Sequence, residues 1–194
     1  MIYNIKRLIR LTMLLVCTAC TSQPKQVTEV SEPAPIYPDY ANVTIPYNIA
    51  PLNFLLRNEV SALQVTVSGQ QESLTVHGNR KVCFPLRKWK NLLEAEKGQT
   101  LTVTITAKVE GKWLQYPTFT WKVVSEKLDS FLSYRLIEPG YEVWNTIQLC
   151  ERNIETFEEK VIADNNLVDG NCMNCHIYGK QSGNLSLFHL RGKN

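Results

Sequence analysis

Histidine and methionine are scarce in this chain of 194 residues, with three of each. Met1 and Met13 fall in the first nineteen residues, so Met173 is the one thioether beyond them. Net charge is scarce too. Of 21 Lys+Arg residues, Lys6, Arg7 and Arg10 precede Cys20 with no acid beside them, which leaves 18 basic against 18 acidic residues from Cys20 onward. A neutral chain lacks the basic footprint that draws nucleic acid. Long apolar runs are missing as well, since Leu11–Ala19, the longest, falls short of the ~20 residues that cross a bilayer. What remains, 44% hydrophobic and 20% charged, suffices for one or two small cores.

Residues 1–19 read as an export signal. A basic start runs to Arg10, an apolar stretch follows over Leu11–Val16, and Cys17-Thr18-Ala19 supplies small residues before Cys20. Bacterial lipoproteins are cut before such a cysteine, whose thiol takes a diacylglyceryl group. Cys20 is therefore the expected lipid site, although Cys17 stands where an aliphatic residue is commoner. Buried acyl methylenes contribute roughly 0.8 kcal/mol each, so two or three chains anchor durably. Residues 20–40 hold Pro24, Pro33, Pro35 and Pro38, are mostly polar and show no period. They read as an extended linker.

From Ala41 to Ser125 the dominant period is two. Leu63, Val65 and Val67 alternate with polar residues, as do Leu74 and Val76, and Val82 and Phe84. Leu101–Val109 is apolar at every odd position, and Phe119, Trp121 and Val123 follow the same rule. Such alternation predicts strands with one buried face, joined by hairpins. Leu86, Trp89 and Leu93 lie at helical spacing, with Gly98 as the stop. The expected fold is mainly β: an immunoglobulin-like β-sandwich over 41–125, followed by a short irregular segment over 126–194. Arg80, Lys81, Arg87, Lys88 and Lys90 read as a solvated face balanced by Glu94 and Glu96. Trp121 reads as core, while Trp113 and Trp144 stay open as sugar contacts.

Cysteine spacing carries the chemistry. With Cys17 in the signal and Cys20 lipidated, Cys172-Met173-Asn174-Cys175-His176 remains, together with Cys83 and Cys150. Cys-x-x-Cys-His is the attachment pattern of c-type haem. Two thiols add across the vinyl groups of one porphyrin edge, and the histidine after the second coordinates the iron. Covalent attachment takes place outside the cytoplasm, in agreement with an export signal. Three other readings stand beside it: a thiol–disulfide exchanger, which lacks its usual βαβ setting here; a zinc site from Cys172, Cys175 and His189, which lacks a fourth ligand; and a plain Cys172–Cys175 disulfide.

The sixth ligand is bounded by elimination. Met173 lies between the attaching cysteines and cannot reach round the ring. His77 and His189 are the other histidines, and His189, thirteen residues after His176, has the reach. His77 ends a strand and reads as a surface residue. Bis-histidine ligation favours a lower potential than His/Met. Eighteen residues after His176 are too few to wrap a porphyrin, so the haem would lie against the β-domain or need further protein.

Three stretches, Glu138–Asn145, Asn171–His176 and Leu187–Gly192, together with Asp39–Asn53, resemble a lipoprotein family of Bacteroidota. Members continue into a TolB-like β-propeller and are described as cytochrome-related. The resemblance implies haem attachment at Cys172, Cys175 and His176, with His189 as the histidine before Arg191-Gly192. No propeller follows in this chain, which is thus similar to a truncated member. The sequence as a whole predicts a lipoprotein facing periplasm or cell surface, with haem c and no substrate chemistry. Its partners would be the membrane and a redox or envelope protein, not nucleic acid. The alternative is an anchored module that docks a protein or glycan without haem, its Cys172 and Cys175 forming a disulfide or redox pair.

The anchor is directly testable. Cys20→Ser should abolish lipid labelling and either release the chain from membranes or stop its processing. Intact-mass analysis of the wild type should find an acylated Cys20 as the first residue, and an unmodified mature N-terminus would remove the anchor.

Overall fold

The computed structural model describes residues 26–137, 146–166, 172–181 and 185–191. The signal, Cys20 and Trp144 lie outside them. The architecture is mainly β, with several sheets in a sandwich-like arrangement.

The ten-residue strand β8 (Thr100–Val109) organises the main sheet. Its alternating Leu101, Val103, Ile105 and Ala107 are all buried. One edge of β8 pairs with β5 (Ala62–Ser68) along its length, and β5 pairs with β6 (Ser73–Gly78). Its other edge is shared between β9 (Lys112–Gln115) and β10 (Phe119–Val124). Two pairings are parallel and thus not hairpins: β1 (Val27–Glu29) on β9, and β3 (Val43–Pro46) on β10.

A second layer covers the apolar face. It consists of a small sheet, β2 (Ile36–Tyr37), β4 (Phe54–Leu56) and β7 (Lys81–Val82), and one helix, α1 (Leu86–Ala95). The expected helix is present, and it buries Trp89, Leu92 and Leu93. Trp89 meets Trp121 edge-on at 5.6 Å and Phe84 at 5.1 Å. Both indoles are fully buried and find acceptors: Trp89 Nε1 donates to the Ile49 carbonyl and Trp121 Nε1 to that of Tyr40.

Residues 27–40 correct the linker expectation. Val27–Glu29 and Ile36–Tyr37 are paired strands, and Ile36 is 5% exposed within the core. Pro33 and Pro35 fall between these short strands and Pro38 follows the second, so the composition conceals two edge pairings. The irregular segment is corrected likewise. β11 (Phe131–Ile137), β12 (Ile147–Asn153) and β13 (Glu159–Asp164) form an antiparallel sheet, and β14 (Cys172–Tyr178) pairs with β15 (Ser186–Arg191). Ile147 and Leu149 of β12 alternate and are buried, as their spacing predicts for a strand. Much of the apolar surface of β11, β13 and the hairpin is exposed, so those strands lack the clean alternation that reveals a half-buried sheet.

Two carboxylates tie the pieces together. Glu96 is fully buried, so it does not balance a solvated basic face as expected. Its oxygens accept the backbone N–H groups of Gln70, Gln71 and Glu72 at 3.0, 2.6 and 2.8 Å. Burial alone would raise its pKa, but these three donors outweigh that and hold it below the usual range. Gly69 is required beside it, since a Cβ there would stand 2.2 Å from the Glu96 carboxyl carbon.

Glu155 joins the C-terminal sheet to the first body. It accepts hydrogen bonds from Ser130 Oγ (2.7 Å) and Asn48 Nδ2 (3.2 Å), and it faces Lys90 and Lys127 at 3.7 and 3.5 Å. Asn48 completes the joint by exchanging two hydrogen bonds with the Leu128 backbone. Donation from Ser130 and Asn48, helped by Lys127, lowers the Glu155 pKa to about 2.

A depressed carboxylate pKa adds stability above its unfolded value, near 4.3, and that contribution fades as pH falls towards the folded value. Glu155→Gln should therefore destabilise the protein at pH 7 by about 1–3 kcal/mol. The gap between wild type and variant should close between pH about 4.5 and about 2. Denaturant titrations across that range check this, and a gap independent of pH would contradict it.

Candidate functional site

The Cys-x-x-Cys-His motif lies on β14, for whose residues Cys172–His176 the backbone register is described. Cys172 stands opposite Arg191, Met173 opposite Leu190, Cys175 opposite His189 and His176 opposite Phe188. Asn174 has no partner, so the strand bulges there. The bulge decides the parity of the site. In a regular strand, positions three apart fall on opposite faces. With Asn174 extra, Cys172 and Cys175 take the same register parity, and His189 shares it as the residue across from Cys175. His176 takes the other parity, with Met173, Phe188 and Leu190.

The parity of the cysteines continues outward to Ile177 opposite Leu187, which are 66% and 70% exposed. Leu185, just before β15, is 69% exposed. His189 is exposed as well. Tyr178, of the opposite parity, turns its hydroxyl to Ser133 Oγ at 2.7 Å, so the other face of the hairpin meets the β11–β13 sheet. The hairpin thus brings the two cysteine positions and His189 together and continues them with an apolar pair open to solvent. Sequence reasoning missed Ile177 and Leu187. Their signal was slight: each lies two residues from a named site residue.

The remaining candidates lie elsewhere. His77 is exposed on β6, opposite Gln64 in the main sheet. Cys83 is exposed and Cys150 buried, and both are unbridged. Burial and the nearby Glu159 push the Cys150 thiol pKa up, and Tyr134, opposite Cys150, donates its hydroxyl to that Glu159. Trp113 is half-buried on β9, while Trp89 and Trp121 are core, so these residues form no indole platform. Lys81 lies on β7 with Arg80 just before it, while Arg87, Lys88 and Lys90 lie on α1, so the run is divided between two elements. Among the described residues no three His, Cys, Asp or Glu groups converge as a metal site, and no helix is long and apolar enough to cross a membrane.

No family model, curated protein or solved structure matches the chain.

Thiol reactivity should follow burial. In a Cys172→Ser, Cys175→Ser background lacking Cys20, a maleimide should modify Cys83 within minutes and Cys150 only after unfolding. Mass spectrometry of the native protein reads the difference, and equal labelling of both thiols would contradict the packing of β12.

Proposed function

We propose that the chain is an envelope lipoprotein anchored through Cys20, and that its C-terminal hairpin attaches one c-type haem for one-electron transfer or haem-based sensing. The Asn174 bulge is the observation that carries this reading. It gives Cys172 and Cys175 a common parity, as two thiols bonded to one porphyrin edge require. The exposed Ile177–Leu187 pair of that parity suits the apolar flank of a macrocycle.

When bound, haem supplies a one-electron couple set by its axial ligands and their surroundings. Cys172 and Cys175 would hold it through thioethers. His176 and His189 are the imidazoles within reach of one hairpin, and the register favours His189, which shares the parity of the cysteines. An extended strand gives His176 the other parity, so that side of the fit is poorer than the motif alone implies. The likeness to the Bacteroidota lipoproteins supports the same assignment, with a redox or envelope protein as partner. We infer no substrate chemistry of its own and no nucleic-acid partner.

One observation favours a second reading without haem, in which the anchored module carries a Cys172–Cys175 disulfide or redox pair. Across the bulge three residue steps span about two, roughly 6.8 Å, at the upper edge of the Cα separation that a disulfide allows.

Co-expression with a c-type maturation system distinguishes the two. The exported chain should gain one haem mass and a thioether-type pyridine haemochrome, and Cys175→Ala should lose it. His189→Ala should turn the ferric spectrum from low-spin to high-spin and open the ferrous iron to carbon monoxide. A low-spin spectrum unchanged in that variant would exclude His189 as ligand. A wild type that matures colourless beside a coloured control cytochrome would exclude haem, and alkylation against redox potential should then report a titrating dithiol.

A further inference from the structure

The neutral total of the chain beyond Cys20 hides an uneven distribution. β1 runs parallel to β9 with Val27 opposite Trp113. The chain therefore enters the main sheet at the end where the β8–β9 turn lies, next to Lys112. Strand registers carry more cations there. Lys108 stands opposite both Trp113 and Ala62, the first residue of β5, and Leu63 stands opposite Gly78. Arg80 and Lys81 follow Gly78 after one residue, and Arg80 donates to the carbonyls of Leu56 and Arg57.

Arg57, Arg80, Lys81, Lys108 and Lys112 thus share one end of the sheet. Acids lie there too: Glu59, paired with Arg80 at 3.1 Å, Glu110 in the β8–β9 turn, and Glu29, two residues along β1 from Val27. Since the chain from Cys20 sums to zero, the rest of it is net acidic. Aromatic and apolar surface accompanies the cations. Tyr37 is 55% exposed beneath the Arg57 guanidinium, which lies 5.0 Å from its ring, and Val27 is 37% exposed beside the half-buried Trp113. Cations with interfacial aromatic residues match an anionic headgroup layer.

We propose that this end of the sheet docks on a bilayer bearing anionic phospholipid, as a second membrane contact beside the acyl chains. The orientation rests on the lipoprotein reading. Seven residue steps separate Cys20 from Val27, a reach of at most roughly 25 Å. The opposite end of β5 lies about 20 Å farther along the strand, so the anchor holds the basic end towards the membrane. One lipid signal plus a basic patch binds membranes more firmly than either alone.

The test uses the whole mature chain with Cys20→Ser, exported behind a signal that leaves no lipid, so that acyl chains contribute nothing. It should float with vesicles of phosphatidylcholine and phosphatidylglycerol, not with phosphatidylcholine alone, and added salt should weaken binding. Each lost cation should cost about fivefold in affinity, so Lys81→Glu/Lys108→Glu/Lys112→Glu should lose about 100-fold or more. Arg87→Glu/Lys88→Glu/Lys122→Glu changes net charge equally, away from that end, and should lose far less. Matched thermal melts qualify each variant, and Lys112→Glu alone replaces a triple variant that does not fold. Equal losses in the two triple variants, equal flotation with both vesicle types, or no flotation would overturn the proposal. Acylation of the wild type is read separately by mass. An acylated wild type whose Cys20→Ser form ignores phosphatidylglycerol overturns the docking end alone, whereas an unacylated chain that still floats removes only the anchor.

Discussion

Strand β8 is the constraint on which the first body depends. Ten residues alternate without error, so one face of β8 must be buried, and each neighbour inherits its register from that face. β5 meets Thr102–Lys108, while β9 and β10 divide the other edge between them. A slip of one residue would send Leu101, Val103, Ile105 and Ala107 to solvent and lift Trp121 off Trp89. The edge strands β1 and β3 then extend the sheet in parallel, which lets residues near the start of the chain contribute to a sheet built mostly from its middle.

The polar joints work on a different principle. Apolar burial is non-directional and would tolerate several placements of the C-terminal sheet. Asn48 and Glu155 select one placement, because their hydrogen bonds to Leu128 and Ser130 require both partners in position. Glu96 does the same for the β5–β6 turn, where three backbone donors converge on one carboxylate. Such groups are costly to bury alone and strongly orienting once satisfied. The hairpin bearing Cys172 and Cys175 touches the β11–β13 sheet through Tyr178 and Ser133, so the orientation of the site follows from the Glu155 joint.

Two features of functional interest share a physical origin in strand pairing. A single unpaired residue, Asn174, brings two cysteine positions to one parity and sets His176 apart from them. A three-residue parallel pairing, β1 on β9, decides at which end the described chain enters the main sheet. Neither depends on a new kind of residue. Each is a matter of which backbone edge meets which.

The strong alternations of β5, β6, β8 and β10, the spacing of Leu86, Trp89 and Leu93, and the burial of Trp121 were legible in the sequence, because a half-buried strand or helix must repeat its apolar residues with its own period. The Cys172–His176 motif and the charge balance were equally plain, being properties of composition and spacing. Tertiary structure alone decided the rest. β1 and β2 lie among prolines and pair at edges, where few residues make the strand and no period can form. β11, β13 and the hairpin expose apolar side chains and so hide their alternation. The role of Glu96 looked like surface charge until a turn twenty-four to twenty-six residues earlier supplied its donors. Parity across a bulge depends on the partner strand, so no count along Cys172–His176 could have told that His189, and not His176, falls in step with the cysteines. Local period is written in the chain, whereas register and bulges arise only when two segments meet.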